Sequence, residues 1–285
     1  MGDLRIGIVG AGTMGGEIAF IATQAGFPVI MKDIEQRFLD AGINKTKQIY
    51  EFKVKRRRMS PEEMDEKIRL ISTTLNYDGF ADADFVIEAV PENLELKQKV
   101  FAELEKACPD RAILATNTSA LSITKIAEKT TCRDRVVGMH FFNPVSMMRL
   151  VEVIRGAETS DSTVDATCAL AEAMGKSPVK CADSAGFIVN RLLCAAMLEA
   201  IRCESEGLLP RAEIDNALVK PDAGLPIGLF KMADQLGIDL LYKVMKILED
   251  AFGERLAVPE IIKNLHDQGA LGVKSGKGFY EYGKP

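Results

Sequence analysis

The chain has 285 residues, 47% hydrophobic and 27% charged, an ordinary globular balance with enough length for two domains that each bury a core. Its formal net charge of −5 argues against nucleic acid as a partner, because such binding leans on a net basic surface. It leaves room for an anionic small molecule on a local basic patch. The cysteines (Cys108, Cys132, Cys168, Cys181, Cys194 and Cys203) form no C-x-x-C pair and stand at metal-ligand spacing from no histidine. The expectation is therefore reduced thiols in a cytoplasmic protein without a bound metal. No apolar run is long enough to span a bilayer, and Leu4–Val9 already reads as a strand, so no targeting segment and no membrane partner are expected.

Taken in chain order, the strand Leu4–Val9 ends in glycines, and Thr13–Ala25 follows with helical periodicity. Pro28–Met31 reads as a second strand closed by Asp33, with a charged helix over Glu35–Arg57 behind it. Ser60-Pro61-Glu62-Glu63 signals a helix start: a serine cap, a proline at the first position and acids in the first turn. Short strands then alternate with helices: Phe85–Val90, a helix at Lys97–Lys106, Ala112–Ala115, a helix at Ser122–Glu128, and Val136–Phe141. Val151–Ile154, a helix at Asp161–Met174 and Val179–Cys181 complete this part. The alternation predicts a mainly parallel sheet covered on both faces. From about Ala185 the character changes to helices at Phe187–Glu206, Arg211–Val219, Ile227–Leu236, Asp239–Phe252 and Pro259–Leu265. A coil over Gly272–Gly283 ends the chain, with Phe279 and Tyr280 as anchors. The boundary falls near Asp183–Gly186, giving a first domain over 1–184 and a helical one over 185–285.

Gly10-Ala11-Gly12-Thr13-Met14-Gly15 follows the first strand and opens the first helix, and Asp33 closes the next strand, 21 positions after Gly12. In that context Gly10 permits a tight turn, Gly12 lets a diphosphate approach the backbone, and Gly15 allows close helix–strand packing. The diphosphate would rest on a helix N-terminus. Asp33 would accept from the adenosine ribose and repel a 2′-phosphate, which favours NAD over NADP, although Lys32 and Arg37 stand nearby. Thr116-Asn117-Thr118-Ser119 lies just past a strand, where polar side chains face the cofactor crevice of an open parallel sheet; the same residues also read as a helix cap.

His140, in Gly138-Met139-His140-Phe141-Phe142-Asn143-Pro144, ends an apolar strand beside a proline-marked turn. Histidine suits the removal of a hydroxyl proton near neutral pH, yet a lone histidine is more often structural. Glu152, on the next strand of an expected hairpin, shifts that balance, because a carboxylate on one ring nitrogen fixes the tautomer and stabilises the imidazolium. His266, among polar residues of the last helix, reads as surface. Asn190 is a polar residue in an otherwise apolar helix, and either satisfies a backbone group or reaches a substrate.

Set in order along the chain, GAGTMG, EAVPEN, NTS, GMHFFNP, EVIRG, GFIVNRLL and the tail GVKSGKGFY resemble the 3-hydroxyacyl-CoA dehydrogenases over nearly the whole sequence. The resemblance implies a Rossmann doubly wound domain followed by an all-α domain that supplies most of a homodimer interface. It implies NAD as cofactor and reversible oxidation of a (S)-3-hydroxyacyl-CoA, short in chain like 3-hydroxybutyryl-CoA. It makes His140 the general base and Glu152 its orienting partner, with Ser119 and Asn190 completing the site. It puts Glu92, Lys97, Asn143 and Lys274 around the nicotinamide and ribose, with Asn117 beside them at the cofactor. The run Lys53-Val54-Lys55-Arg56-Arg57-Arg58 is more basic than the family's usual segment there. Lys53, Lys55 and Arg56 would suit coenzyme A phosphates, and a solvated charged face fits them equally. Relatives that act on sugar acids or carnitine-like hydroxy compounds leave a non-CoA substrate open, and a non-catalytic scaffold or one half of a larger multifunctional enzyme stands as a further alternative.

Overall fold

The computed structural model describes residues 4–221 and 223–283. Contacts divide the chain into two compact units, one ending at Ser184 and the other beginning at Ala185.

In the first unit, β1 (Ile6–Val9) is buried along its whole length, as the middle of a parallel sheet requires. It leads into α1 (Thr13–Gln24), β2 (Val29–Lys32), α2 (Gln36–Lys55) and α3 (Pro61–Arg69). The signal at Ser60 is realised as a complete capping box: Glu63 N–H donates to Oγ of Ser60 at 3.1 Å and Ser60 N–H donates to Oε2 of Glu63 at 2.8 Å. The chain continues through β3 (Ile71–Thr74), β4 (Phe85–Glu88), α4 (Leu94–Ala107), β5 (Ile113–Thr116), α5 (Ile123–Ala127) and β6 (Val136–Phe141), and closes with β7 (Leu150–Arg155), α6 (Asp161–Ala173) and β8 (Ser177–Ala182).

Among the described residues these strands form one sheet in the order β3-β2-β1-β4-β5-β6-β7-β8. All neighbours pair parallel except β6 and β7, which pair antiparallel. The chain runs outward from β1 to β3 and then returns to place β4 on the other side of β1. The ends of β1 and β4 therefore flank a topological switch point, the crevice where open α/β sheets bind ligands. The core joins Ile8, Ile18, Phe20, Tyr50, Met139 and Val153.

Two differences from the sequence reading have local causes. Strand β3 escapes pattern reading because it is a partly exposed edge strand of only four residues, Ile-Ser-Thr-Thr, with no alternation to detect. Helix α4 starts at Leu94 rather than Lys97 because Oδ1 of Asn93 accepts from Leu96 N–H at 2.8 Å and caps it earlier.

The second unit contains α7 (Val189–Ser205), α8 (Arg211–Leu218), α9 (Leu229–Leu236), α10 (Ile238–Phe252) and α11 (Glu260–Asp267) around a core that includes Met197, Phe230, Met245 and Leu248. Helix α7 begins at Val189 rather than Phe187 because Gly186 and Phe187 both have positive φ, 69° and 48°, outside the right-handed helical region. Two buried aspartates organise the rest. Asp215 caps α9 through the amides of Phe230 and Lys231, both at 3.0 Å, and accepts from the Tyr280 hydroxyl at 2.9 Å. Asp234 accepts from the amides of Phe279 (2.8 Å) and Tyr280 (2.9 Å) and from the Tyr282 hydroxyl (3.0 Å). A Cβ on Gly278 would come within 2.0 Å of Asp234 Oδ1, so the tail lies against that carboxylate in a way only glycine permits. Burial, and then the bond to an aspartate, push the hydroxyls of Tyr280 and Tyr282 above their usual range.

Removing this clasp should be costly. Asp234→Ala strips three hydrogen bonds from a charged acceptor and is expected to destabilise the helical unit by about 2–4 kcal/mol, read as a lower first midpoint in calorimetric unfolding. An unchanged midpoint would mean that the tail is not clasped through Asp234.

Candidate active site

The glycine-rich turn is built as a nucleotide cradle. Gly10 has φ of +100° and donates to the Lys32 carbonyl at 2.9 Å, and a Cβ there would meet the Ala89 carbonyl at 2.6 Å. A Cβ on Gly15 would lie 1.9 Å from the Gly10 carbonyl, whereas one on Gly12 would meet nothing within 4 Å. Gly12 is the N-cap of α1 and no side chain caps that helix. Thr13 is exposed and Met14 half-buried. Open space thus faces an uncapped helix N-terminus, the arrangement a diphosphate fills, and these residues fit a dinucleotide. Asp33 ties the turn to the end of β2: its Oδ2 accepts from Ala11 N–H at 2.6 Å and its Oδ1 from Ile34 N–H at 2.7 Å.

Beyond β4 lies a buried ionic network. Glu88, the last residue of β4, accepts from Val90 N–H at 2.6 Å, from the Lys97 ammonium at 2.7 Å and from the Thr116 hydroxyl at 2.7 Å. Removing one partner from such a buried pair leaves an uncompensated charge, at a cost of about 3–5 kcal/mol. Lys97 also donates to the Val90 carbonyl at 3.2 Å and stands 3.5 Å from Glu92. It is only 1% exposed, so within this unit its contact with the crevice runs through these carboxylates. Glu92 in turn accepts from the Thr118 hydroxyl (2.6 Å) and the amides of Ser119 (2.9 Å) and Ala120 (3.2 Å). It holds the turn that carries Ser119. The cap of α5 is Ser122, through Lys125 N–H at 3.2 Å, so Thr116–Ser119 are not that helix's cap. Asn117 accepts from Phe141 N–H at 2.9 Å and so ties the end of β5 to β6.

His140 sits on β6 directly opposite Glu152 on β7. Both side chains are buried, and the ring Nδ1–H donates to Oε2 of Glu152 at 2.8 Å. The Phe142 ring lies 4.5 Å from the imidazole, centroid to centroid. Asn143 is exposed in the turn that follows, just before Pro144. Two buried charges pin that turn: Glu17 on α1 accepts from Ser146 N–H at 3.3 Å, and the Lys176 ammonium donates to the carbonyls of Val145 and Met148. Burial draws the Lys176 ammonium below its usual range, with the Glu17 charge acting the other way.

Of the remaining expected site residues, two belong to the second unit, one is engaged with a neighbouring helix and two are exposed. Asn190 stands in the first turn of α7 and Lys274 near the tail, both in the second unit. Lys274 pairs with Asp239. Burial opposes charge on Asp239, yet the hydrogen bond from Lys274 prevails and holds its carboxyl below the usual range. Lys53 bonds Gln24 and lies 5.1 Å over the Phe20 ring. Gln24 ends α1, about 18 Å from the diphosphate end for a helix of this length. Lys55 and Arg56 remain exposed. Reading the chain alone missed Glu88 and the two buried charges Glu17 and Lys176. For Glu88 a signal existed, since a carboxylate closing the apolar strand Phe-Val-Ile must be satisfied if buried. Glu17 and Lys176 acquire partners only through the fold.

Comparison with known proteins places this architecture. The model of the 3-hydroxyacyl-CoA dehydrogenase NAD binding domain matches residues 5–184, and that of the 3-hydroxyacyl-CoA dehydrogenase C-terminal domain matches residues 186–282. Among solved structures, (S)-3-hydroxybutyryl-CoA dehydrogenase PaaH1 from Ralstonia eutropha is 38% identical over 98% of this chain and 99% of that one, with a TM-score of 0.94. FadB2 of M. tuberculosis is 34% identical over 99% of this chain and 100% of its own, with a TM-score of 0.93. A 3-hydroxybutyryl-CoA dehydrogenase of Escherichia coli K12 is 35% identical over 99% of this chain and 60% of its own length, with a TM-score of 0.94.

The cradle can be tested at two glycines. Gly12→Ala should leave thermal unfolding unchanged while weakening NAD binding by calorimetry, because its Cβ fills only the ligand's space. Gly15→Ala should lower both stability and binding. A Gly12→Ala protein that binds NAD as well as the parent would contradict this cradle.

Proposed function

The chain belongs to the 3-hydroxyacyl-CoA dehydrogenase family, and we propose that it interconverts a short-chain (S)-3-hydroxyacyl-CoA and the 3-ketoacyl-CoA, with 3-hydroxybutyryl-CoA as the favoured substrate. The observation that carries this reading is the buried His140–Glu152 pair, joined at 2.8 Å. The short chain rests on the relatives, since PaaH1 and the E. coli protein are named for 3-hydroxybutyryl-CoA.

NAD, when bound, would supply the hydride acceptor; Gly10, Gly12, Thr13, Met14, Gly15 and Asp33 would hold it, with Glu92, Lys97, Asn117, Asn143 and Lys274 assigned to it as well. With Nδ1–H committed to Glu152, the Nε2 of His140 is the basic nitrogen that takes the 3-hydroxyl proton. As that proton leaves oxygen, the C3–H bond breaks, its electron pair departs with the hydrogen, and a carbonyl forms. Glu152 keeps the imidazole in one tautomer and stabilises the imidazolium that results. Family resemblance assigns Ser119 and Asn190 to hydrogen bonds with the substrate oxygens or the histidine. Much of the rate gain is positional, since no covalent intermediate is needed. Lys55 and Arg56, exposed at the end of α2, are offered to coenzyme A phosphates, with Lys53 behind them.

We place the protein in the cytoplasm, in keeping with its free cysteines, and as a homodimer. Exposed Leu192, Leu208, Leu236 and Leu240 on the helical unit suit it for pairing with a second copy. No helix among the described residues is long and apolar enough to cross a membrane.

The test is NADH absorbance on mixing with acetoacetyl-CoA, with free acetoacetate and a long-chain 3-ketoacyl-CoA in parallel. Fast loss with acetoacetyl-CoA, slower loss with the long chain and none with acetoacetate is expected. No loss with either thioester, in a protein that binds NADH, would overturn the acyl-CoA assignment.

A further inference from the structure

The nucleotide cradle contains a feature that the fold alone does not require, at the first residues after β2. Discrimination against a 2′-phosphate on the adenosine ribose falls to the groups around Asp33, because a phosphate there needs a cation, best of all an arginine that can grip two oxygens. Two cations flank Asp33 in sequence, and the structure withdraws both. Lys32 is 9% exposed and its ammonium lies 4.8 Å from the centroid of the Tyr77 ring. Arg37 is exposed, but its guanidinium is held by Glu35 through two contacts, Nε to Oε2 at 2.9 Å and NH2 to Oε1 at 2.9 Å.

That use of Glu35 is informative. It is the N-cap residue of α2, a position where a side-chain oxygen commonly accepts from the first-turn amides, yet it makes no cap bond. Both of its oxygens face Arg37 instead, occupying the fork that would otherwise grip a phosphate. Asp33 is not free to serve alone as the gate, because its two oxygens also hold Ala11 N–H and Ile34 N–H, and replacing it would loosen the glycine turn itself.

We propose that Glu35 is a specificity-determining residue: by clasping the guanidinium fork of Arg37 and adding a negative charge beside Asp33, it denies a 2′-phosphate its binding group and keeps the cradle selective for NAD over NADP. This rests on NAD occupying the cradle. An exposed ion pair is weak on its own, so the effect is expected to be moderate. The clasp and the like-charge repulsion act together, and both vanish with the carboxylate.

The experiment is calorimetric titration of the full chain with NAD+ and NADP+, for the parent, Glu35→Gln and Glu35→Gln/Arg37→Ala, with the NADPH-to-NADH ratio of kcat/KM measured alongside. Glu35→Gln should raise the ratio of NADP+ to NAD+ affinity roughly five- to tenfold, and adding Arg37→Ala should remove most of the gain, leaving only the part owed to the lost repulsion. An unchanged ratio in Glu35→Gln, or a gain undiminished by removal of Arg37, would overturn the proposal. A parent protein that binds neither nucleotide would instead overturn the cofactor assignment beneath it. Glu35 and Arg37 are both at the surface, and a thermal unfolding scan of each variant checks that folding is intact.

Discussion

The reversal of chain direction between β6 and β7 is the constraint on which the proposed chemistry depends. Strand side chains alternate faces, so the antiparallel register that sets His140 opposite Glu152 puts both on one face, and a slip of one residue would send the carboxylate to the other. Burying a carboxylate against an imidazole is costly unless the geometry is held. The surrounding structure is arranged to hold it. Asn117 fixes β6 through the Phe141 amide, and Glu17 and Lys176 pin the reversing turn from α1 and from the approach to β8. The nucleotide helix and the histidine strand are thus bound to the same few buried charges.

A second set of constraints works at the switch point. The Glu88 carboxylate joins the ends of β4 and β5 to α4, and Glu92 converts that rigidity into a fixed turn at Ser119. Lys97, which family resemblance assigns to the cofactor, is first an internal counter-ion for these two acids. Positioning by such a network is how the proposed reaction would gain its rate, because that gain would lie in holding groups in place.

Much of this was legible in the letters and some was not, for reasons that can be named. Strands such as Val136–Phe141 and the cap at Ser60 are local patterns, and the structure reproduces them. The family resemblance held because its motifs include positions where only glycine fits, the positive-φ turn at Gly10 and the close helix–strand approach at Gly15. What escaped was weakly marked or non-local. Strand β3 is an edge with little apolar signal, and the donors to Glu92 lie 26 to 28 residues away in sequence. Arg37 looked available to a 2′-phosphate until Glu35 was seen to hold it, since a charge and its partner two residues on in sequence say nothing of which way either turns.

The central claim is that His140 and Glu152 act as one unit in proton transfer. The most direct measurement is a double-mutant cycle on kcat for acetoacetyl-CoA reduction with His140→Gln, Glu152→Gln and the two combined. The account predicts that His140→Gln lowers kcat by about 10²–10⁴-fold and that adding Glu152→Gln lowers it little further, since residues acting as a unit are non-additive. Losses that multiply across the two sites would contradict it, because each residue would then be acting on its own.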